Sequence, residues 1–475
     1  MNRGSKLSVM AMVGVACGAL VAAEIASSDP AERLVQMGLR SDGAYATLAG
    51  LTDRIGPRLS GSANLDKAVA WTAEELRRAG LDRVWTEPVT VPHWVRGEER
   101  GEILAPTEHP LVLLALGMSD GTSPEGISAE VVEVSSLDEA KALGEKAKGK
   151  IVLFNKEIFA NGGEERGYGS VAGIRASGAS AAARVGAVGM LIRSLATADL
   201  RLPHTGAMRY DDDAPRIPAA AISPEDAELM HRFLAAGETV RVWFRLGCKT
   251  LPDAPSANVL GEIRGGEKPD EVVVLGGHLD SWDVGTGAQD DGAGCAISIE
   301  AIRLIRKLGI RPKRTIRAVL FTNEENGLRG GKKYAEVHAA ELAQHVASIE
   351  SDSGGARPLG FGVTAGPGAV RTVAGLAVPL AGIAAEQTID GGGGADISPM
   401  QDAGVPQIAL RQDATHYFDI HHTMADTLDK VDPHDLAMNA AAMALMAWQL
   451  AQLDPPLPRA APKKPEDKTK PPGVR

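Results

Sequence analysis

Six side chains in the second half of the 475-residue chain have the types and the placing for metal chemistry: His278, Asp290, Glu324, Glu325, Asp352 and His422. Taken singly, each has a plain structural reading. Asp290 could cap a helix beside the solvated Asp291, Glu324-Glu325 could be an exposed turn, Asp352 a turn former, and His421-His422 surface histidines. Together they are harder to dismiss. The adjacent carboxylates of Asp290-Asp291 repel each other with no basic residue beside them, and a divalent cation is the usual reason for keeping such a pair. Two imidazoles and several carboxylates form a mixed N/O donor set, which suits Zn²⁺ and excludes a thiolate-bound structural site. With one carboxylate bridging, the set divides into two three-ligand sites, the arrangement of a cocatalytic metal pair about 3.5–4 Å apart. One Glu is then left over, and a carboxylate beside the activated water is a natural general base for hydrolysis.

The elements that must hold these groups are the strands before them. Val272–Leu275 is an uncharged β-branched run that predicts a buried parallel strand, with Gly276-Gly277 letting the chain turn at its carboxyl end. His278 follows at once, and Asp280 is placed to accept its second ring N–H and so fix the tautomer. Thr315–Thr322 predicts a second strand ending at Glu324-Glu325, and Val346–Glu350 a third ending at Asp352. The carboxyl ends of strands in an open α/β sheet are where ligands bind, so the placement is chemically apt. Helices are predicted over 44–55, 65–79, 294–308, 331–343 and 433–453, the last burying Met438, Met443, Leu445 and Trp448.

Between 111 and 250 the texture changes to short strands alternating with Ala/Gly-rich helices, without clustered metal ligands. The expected organisation is therefore a main α/β domain over 24–110 and 251–453, interrupted by an inserted domain at 111–250 that is a candidate lid. A Pro/Lys-rich tail at 454–475 is expected to be disordered. At the other end, residues 1–23 read as a signal peptide: Arg3 and Lys6 precede an apolar run that is too short to span a bilayer. A secreted or periplasmic protein is expected. Its formal charge goes from −11 to −13 when Arg3 and Lys6 leave with the leader, which argues against nucleic acid or an anionic membrane surface as partner. Cys248 and Cys295 remain, and a buried thiol at Cys295 is a simpler account than a disulfide.

The chain resembles peptidase family M28, the zinc peptidases. The likeness extends beyond the metal-ligand positions to Gly56–Gly61, Pro92-His93-Trp94, Arg96-Gly97-Glu98-Glu99, Leu191-Ile192-Arg193-Ser194, Pro203-His204-Thr205-Gly206, His278–Gly285 and Arg311–Thr315. It implies a mixed, mainly parallel sheet with helices on both faces, the phosphorylase/hydrolase fold of zinc aminopeptidases, and an insert resembling a protease-associated domain. It implies two Zn²⁺ per chain, one held by His278, Asp290 and Asp352, the other by Asp290, Glu325 and His422. His422 is preferred over His421 because the family's ligand precedes the Asp-Thr pair, here Asp426-Thr427, by four residues. Glu324 would be the general base, Asp280 the outer partner of His278, and the Asp290–Asp291 peptide cis. Short peptides or dipeptides with a free amino end are the implied substrates, and a homodimer the implied assembly. Asp396 and Tyr417 are placed to line the substrate pocket, although Gly394–Pro399 departs from the family pattern. From the insert, Arg193 and His204 are candidates to reach the site. Two rival readings share the fold: a metal-free partner-binding ectodomain, and a one-zinc amide-processing enzyme of the glutaminyl cyclase type.

Overall fold

The strand Lys268–His278 lies inside an eight-stranded sheet because both of its faces are apolar. Val273 and Leu275 pack into one core, with the helices Ala293–Lys307 and Pro433–Gln452, while Val272 and Val274 pack into another, with Tyr334 and Met400. This burial on both sides is what a continuous β-branched run predicts for a parallel strand. The computed structural model describes residues 29–159, 163–198 and 200–460; the expected leader at 1–23 and the tail beyond 460 lie outside them. Among the described residues no helix is long and apolar enough to cross a membrane.

Strand order in this first sheet is Arg83–Val95, Lys249–Ile263, Arg314–Phe321, Lys268–His278, His345–Glu350, Gln407–Gln412, Pro358–Thr364, Gln387–Asp390. The central four, from Arg314–Phe321 to Gln407–Gln412, are mutually parallel, and antiparallel strands flank them. Pro358–Thr364 and Gln387–Asp390 are strands that the sequence pattern did not predict. Gly276 and Gly277 are paired within the strand and do not turn it. Their service is space: a Cβ on Gly277 would collide with the carboxylate of Asp291.

A second eight-stranded sheet, also mixed, takes the order His109–Pro110, Glu99–Ala105, Arg241–Leu246, Ile127–Val134, Ile151–Phe154, Gly189–Arg193, Ala219–Ile222, Leu113–Ala115. It too has a core on each face, one with Leu153 and Leu191, the other with Val152, Met190 and the small-residue helix Gly169–Arg184. The expected start of the insert at 111 is too late, because Glu99–Ala105 pairs with Arg241–Leu246 in this second sheet. Arg83–Val95 and Glu99–Ala105 both mix exposed and buried residues, so the switch between the sheets leaves no compositional mark. Two long strands, Arg83–Val95 and Lys249–Ile263, stay paired from Arg83↔Glu262 to Val95↔Lys249, with one register irregularity between Val91 and His93. They form a two-stranded ribbon leading from the first sheet to the second.

The helix Pro433–Gln452 is buried on nearly all sides against Pro30–Leu39 and Ala293–Lys307, which explains its weak amphipathicity. Met438, Met443, Leu445 and Trp448 are all in its buried surface. The expected 44–55 helix runs as Gly43–Ala49 and then widens into a π-type turn at Gly50–Ile55, and the expected 331–343 helix stops at Val337. Residues 454–460 are not a free tail. Leu457 is buried, and the Arg459 guanidinium donates to the carbonyls of Leu342, Ala343, His345 and Ala403. Cys248 and Cys295 are both buried free thiols, so they do not pair.

Candidate metal centre

Three parallel strands bring the donors level. His278 ends its strand opposite Phe321, the last residue of Arg314–Phe321, and Gly276 pairs with Glu350, the last residue of His345–Glu350. Glu324, Glu325 and Asp352 therefore all emerge at the same sheet edge. Asn323 takes a left-handed φ of 64°, a conformation asparagine tolerates better than most residues, and so turns the chain sharply enough to point both Glu side chains back. His422, also left-handed at φ 58°, comes from the loop after Gln407–Gln412 and the short helix Tyr417–Ile420.

Asp290 lies at the middle. Its Oδ1 is 3.2 Å from His278 Nε2, which is 3.6 Å from Asp352 Oδ1. Its Oδ2 is 3.1 Å from His422 Nε2, which is 3.1 Å from Glu325 Oε2. One donor atom from each of His278, Asp290 and Asp352 lies within 4.8 Å of the others, and the same holds for Asp290, Glu325 and His422. The peptide bond Asp290–Asp291 is cis, as the resemblance implied.

Outer contacts hold this set in place. Asp291 accepts the His278 N–H (3.0 Å) and the Gly294 N–H (3.0 Å), so it caps the helix Ala293–Lys307 and grips the strand end. Asp426 accepts the backbone N–H groups of Ala288, Gln289 and Asp290. Arg58, fully buried, donates to the carbonyls of Leu279, Thr286 and Gly287. Sequence reasoning missed Arg58 as a support; its only signal was its place in the Gly56–Gly61 match. Asp280 departs from expectation. His278 Nδ1 is 3.0 Å from the backbone carbonyl of Asp280 and 3.9 Å from its carboxylate. The carboxylate instead accepts the N–H groups of Glu324 (3.0 Å) and Glu325 (3.3 Å) and the Ser60 hydroxyl (3.3 Å). It orients the Glu-Glu turn, and the backbone does the work of fixing the imidazole.

The electrostatics fit a cation pair. Burial, reinforced by neighbouring carboxylates, pushes Glu325 well above the usual carboxylate range, and burial with the Asp352 and Glu325 charges does the same to Glu324 against the pull of His278. Burial alone would lower the His278 pKa, but Asp290 and Asp352 outweigh it and raise it well above 6.5. Asp290 Oδ2 and Glu325 Oε1 are buried atoms without a hydrogen bond. Donor atoms that approach one another at about van der Waals distance without sharing protons are arranged for a third body between them. The residues therefore fit zinc, whose N/O coordination such a set supplies.

A second ring comes from the other sheet. His204 Nε2 is 3.2 Å from His421 Nδ1, and the rings of His421 and His422 stack at 3.7 Å. Tyr168 stacks on Phe418 and meets His421 edge-on. The Thr205 N–H donates to the His422 carbonyl and the Thr197 hydroxyl to Asp419. His204 thus reaches the site, whereas Arg193 is turned toward Glu157 and Glu228 on another surface. Tyr417 lines a cavity of about 450 Å³ with Ala198, Leu200, Ile420 and the chain neighbours of Asp290 and Asp352, Gln289 and Ser353. Asp396 does not line it. Its carboxylate is fully buried and without a hydrogen bond, while its backbone N–H donates to Glu350.

Comparison with known proteins agrees with this geometry. Residues 258–447 match the model of peptidase family M28. Human carboxypeptidase Q is 41% identical over 441 residues, 92% of this chain and 92% of the relative. The crystal structure of a peptidase M28 precursor from Shewanella amazonensis SB2B superposes with a TM-score of 0.87 at 41% identity, covering 91% of this chain and 98% of that one. An aminopeptidase from Aneurinibacillus sp. strain AM-1 shares the fold at a TM-score of 0.63 and 21% identity, over 92% of this chain and 98% of its own. A relative at this identity over almost the whole chain, with a donor set of the right chemistry at the sheet edge, leaves one assignment: the chain belongs to peptidase family M28.

Proposed function

We propose that this M28 peptidase, a zinc-dependent exopeptidase, holds two ions and hydrolyses short peptides or dipeptides that carry a free amino end. The observation that carries the reading is the division of one carboxylate, with Asp290 Oδ1 turned to His278 and Oδ2 to His422. His278, Asp290 and Asp352 would hold one zinc, and Asp290, Glu325 and His422 the other. When bound, such a pair polarises the scissile carbonyl and makes water acidic enough to attack near neutral pH. Glu324 then acts as general base: it takes the proton of the attacking water, and as the carbon–nitrogen bond breaks it returns that proton to the leaving amine. Burial raises its proton affinity, the direction a base needs near neutral pH, and Asp280 fixes its backbone. The 450 Å³ cavity lined by Tyr417, Leu200 and Ile420 would take the side chain on the amino side of the bond. We place the mature chain outside the cytoplasm, on the leader expected at 1–23, and expect a homodimer.

Elemental analysis and a panel of free dipeptides, N-acetylated dipeptides and longer peptides test this together. Two zinc ions per chain and cleavage restricted to free amino ends are expected, while one zinc with amide cyclisation favours the glutaminyl cyclase reading. Glu324→Gln should abolish turnover with both ions retained. Retained turnover in that variant removes Glu324 as the base.

A further inference from the structure

His421 is not in the ligand set just described, yet it is aimed at the same point. Its ring lies nearly parallel to that of His422, at 20°, and its Nε2 is 3.2 Å from Asp290 Oδ2, beside the His422 Nε2 at 3.1 Å. Asp290 Oδ2 has no hydrogen bond, so this approach does not consume a proton of His421.

Which ring nitrogen carries that proton follows from His204. His204 is wholly buried, and its Nδ1 has no partner. A buried N–H without an acceptor is rarer and costlier than a lone pair without a donor, so the His204 proton sits on Nε2. From there it is donated across 3.2 Å to His421 Nδ1. The acceptor nitrogen of His421 is then Nδ1, and its own proton is on Nε2, the nitrogen that faces Asp290 at the metal centre. His204 is itself held: Thr205 N–H donates to the His422 carbonyl, the Thr205 hydroxyl donates to the Ala115 carbonyl, and Arg96 donates to that hydroxyl.

We propose that His421 is a further catalytic residue, donating its Nε2–H to the carbonyl oxygen of the scissile bond as negative charge grows there, and that His204 is the positioning residue that holds its tautomer. The hydrogen bond strengthens in the transition state without proton transfer, so Glu324 remains the only group that takes up and returns a proton. A buried, preoriented donor of this kind acts mainly on the reacting state and little on substrate binding. The proposal rests on the peptidase reading above. It adds that the second sheet completes the active site, since without His204 the His421 ring is free to take the other tautomer.

The test uses the zinc-loaded full chain, a free dipeptide substrate and its phosphinic analogue, whose tetrahedral oxyanion resembles the transition state. In His421→Ala, kcat should fall about a hundredfold, the scale of losing one oxyanion donor. KM should stay within about threefold, and the analogue's Kd should rise in step with the loss of kcat. Zinc should remain at two per chain. His204→Ala should lose about tenfold in kcat and in analogue affinity, on the order of one neutral hydrogen bond. His204→Gln, whose amide can donate to Nδ1, should recover most of both. Loss of zinc in His421→Ala, or equal weakening of KM and analogue, would show that His421 only supports Asp290 and would overturn the proposal. A His204→Ala chain equal to wild type, or no rescue by Gln, would overturn the positioning role. If the wild type with two zinc ions cleaves no dipeptide, the peptidase reading fails first and this proposal goes with it.

Discussion

Asp280 shows how one carboxylate can set a catalytic turn without touching the reacting atoms. It accepts the N–H groups of both Glu324 and Glu325, so its loss frees the proposed base and a proposed ligand at once. Outer partners of metal ligands are commonly worth ten- to a hundredfold in activity or affinity, and we expect Asp280→Ala to lower kcat by about that factor, measurable by steady-state kinetics at saturating zinc. A second expectation concerns His278. Asp290 and Asp352 raise its pKa well above 6.5 in the metal-free chain, so a proton must leave before zinc can bind. Apparent zinc affinity should therefore rise from pH 6 to pH 8 in a chelator-competition titration, and a flat profile would contradict the role of His278. The convergence of these side chains was legible because their types and spacing at strand ends carry the chemistry. The true partners of Asp280 were not, because a backbone carbonyl two residues from the imidazole competes with the side chain for the same N–H, and only loop geometry decides between them. Asp396 lies off the Tyr417 cavity because its backbone is drawn inward to the buried Glu350, which no periodicity announces.

At the scale of elements, the strand His345–Glu350 is braced at its start by a neutral histidine. His345 Nδ1 is 3.0 Å from the Glu341 carbonyl and Nε2 is 2.9 Å from the Tyr334 hydroxyl, and burial lowers its pKa to about 4. The unfolded chain, with a histidine near its ordinary 6.5, takes up the proton first as pH falls. The stability that this site contributes is thus present above pH 6.5 and lost between about 6.5 and 4, amounting to about 3 kcal/mol. Urea unfolding at pH 7 and pH 5 should show His345→Gln losing less stability over that interval than the wild type. The strands and long helices were readable from their apolar pattern, since burial on both faces or one stripe leaves a periodic mark. Pro358–Thr364 and Gln387–Asp390 were not: the first is rich in glycine and the second is largely exposed, so neither has the alternation that marks a half-buried strand.

For the whole molecule, zinc held by the proposed donors would tie together loops from four strands, and anything that binds the folded chain alone stabilises it. Dialysis against a chelator should lower the thermal midpoint, and zinc in about hundredfold excess over its Kd should restore about 2.7 kcal/mol per site. No shift on chelation would mean that the donors do not hold ions in the folded chain. The change in texture beyond 111 was legible, but the crossing from one sheet to the next between Arg83–Val95 and Glu99–Ala105 was not, because a short connection between two strands looks the same whether they share a sheet or not.

The paired strands Arg83–Val95 and Lys249–Ile263 bear on how firmly the second sheet is held. Single flexible connections would let the second sheet tumble like a bucket on a rope. A bonded pair behaves more like a leaf spring, stiff to shear and to sideways swing, with its rungs out of step at one place, Val91–His93. The position of His204, carried beyond the far end of that pair, is thereby fixed against His421 more firmly than two free linkers would fix it.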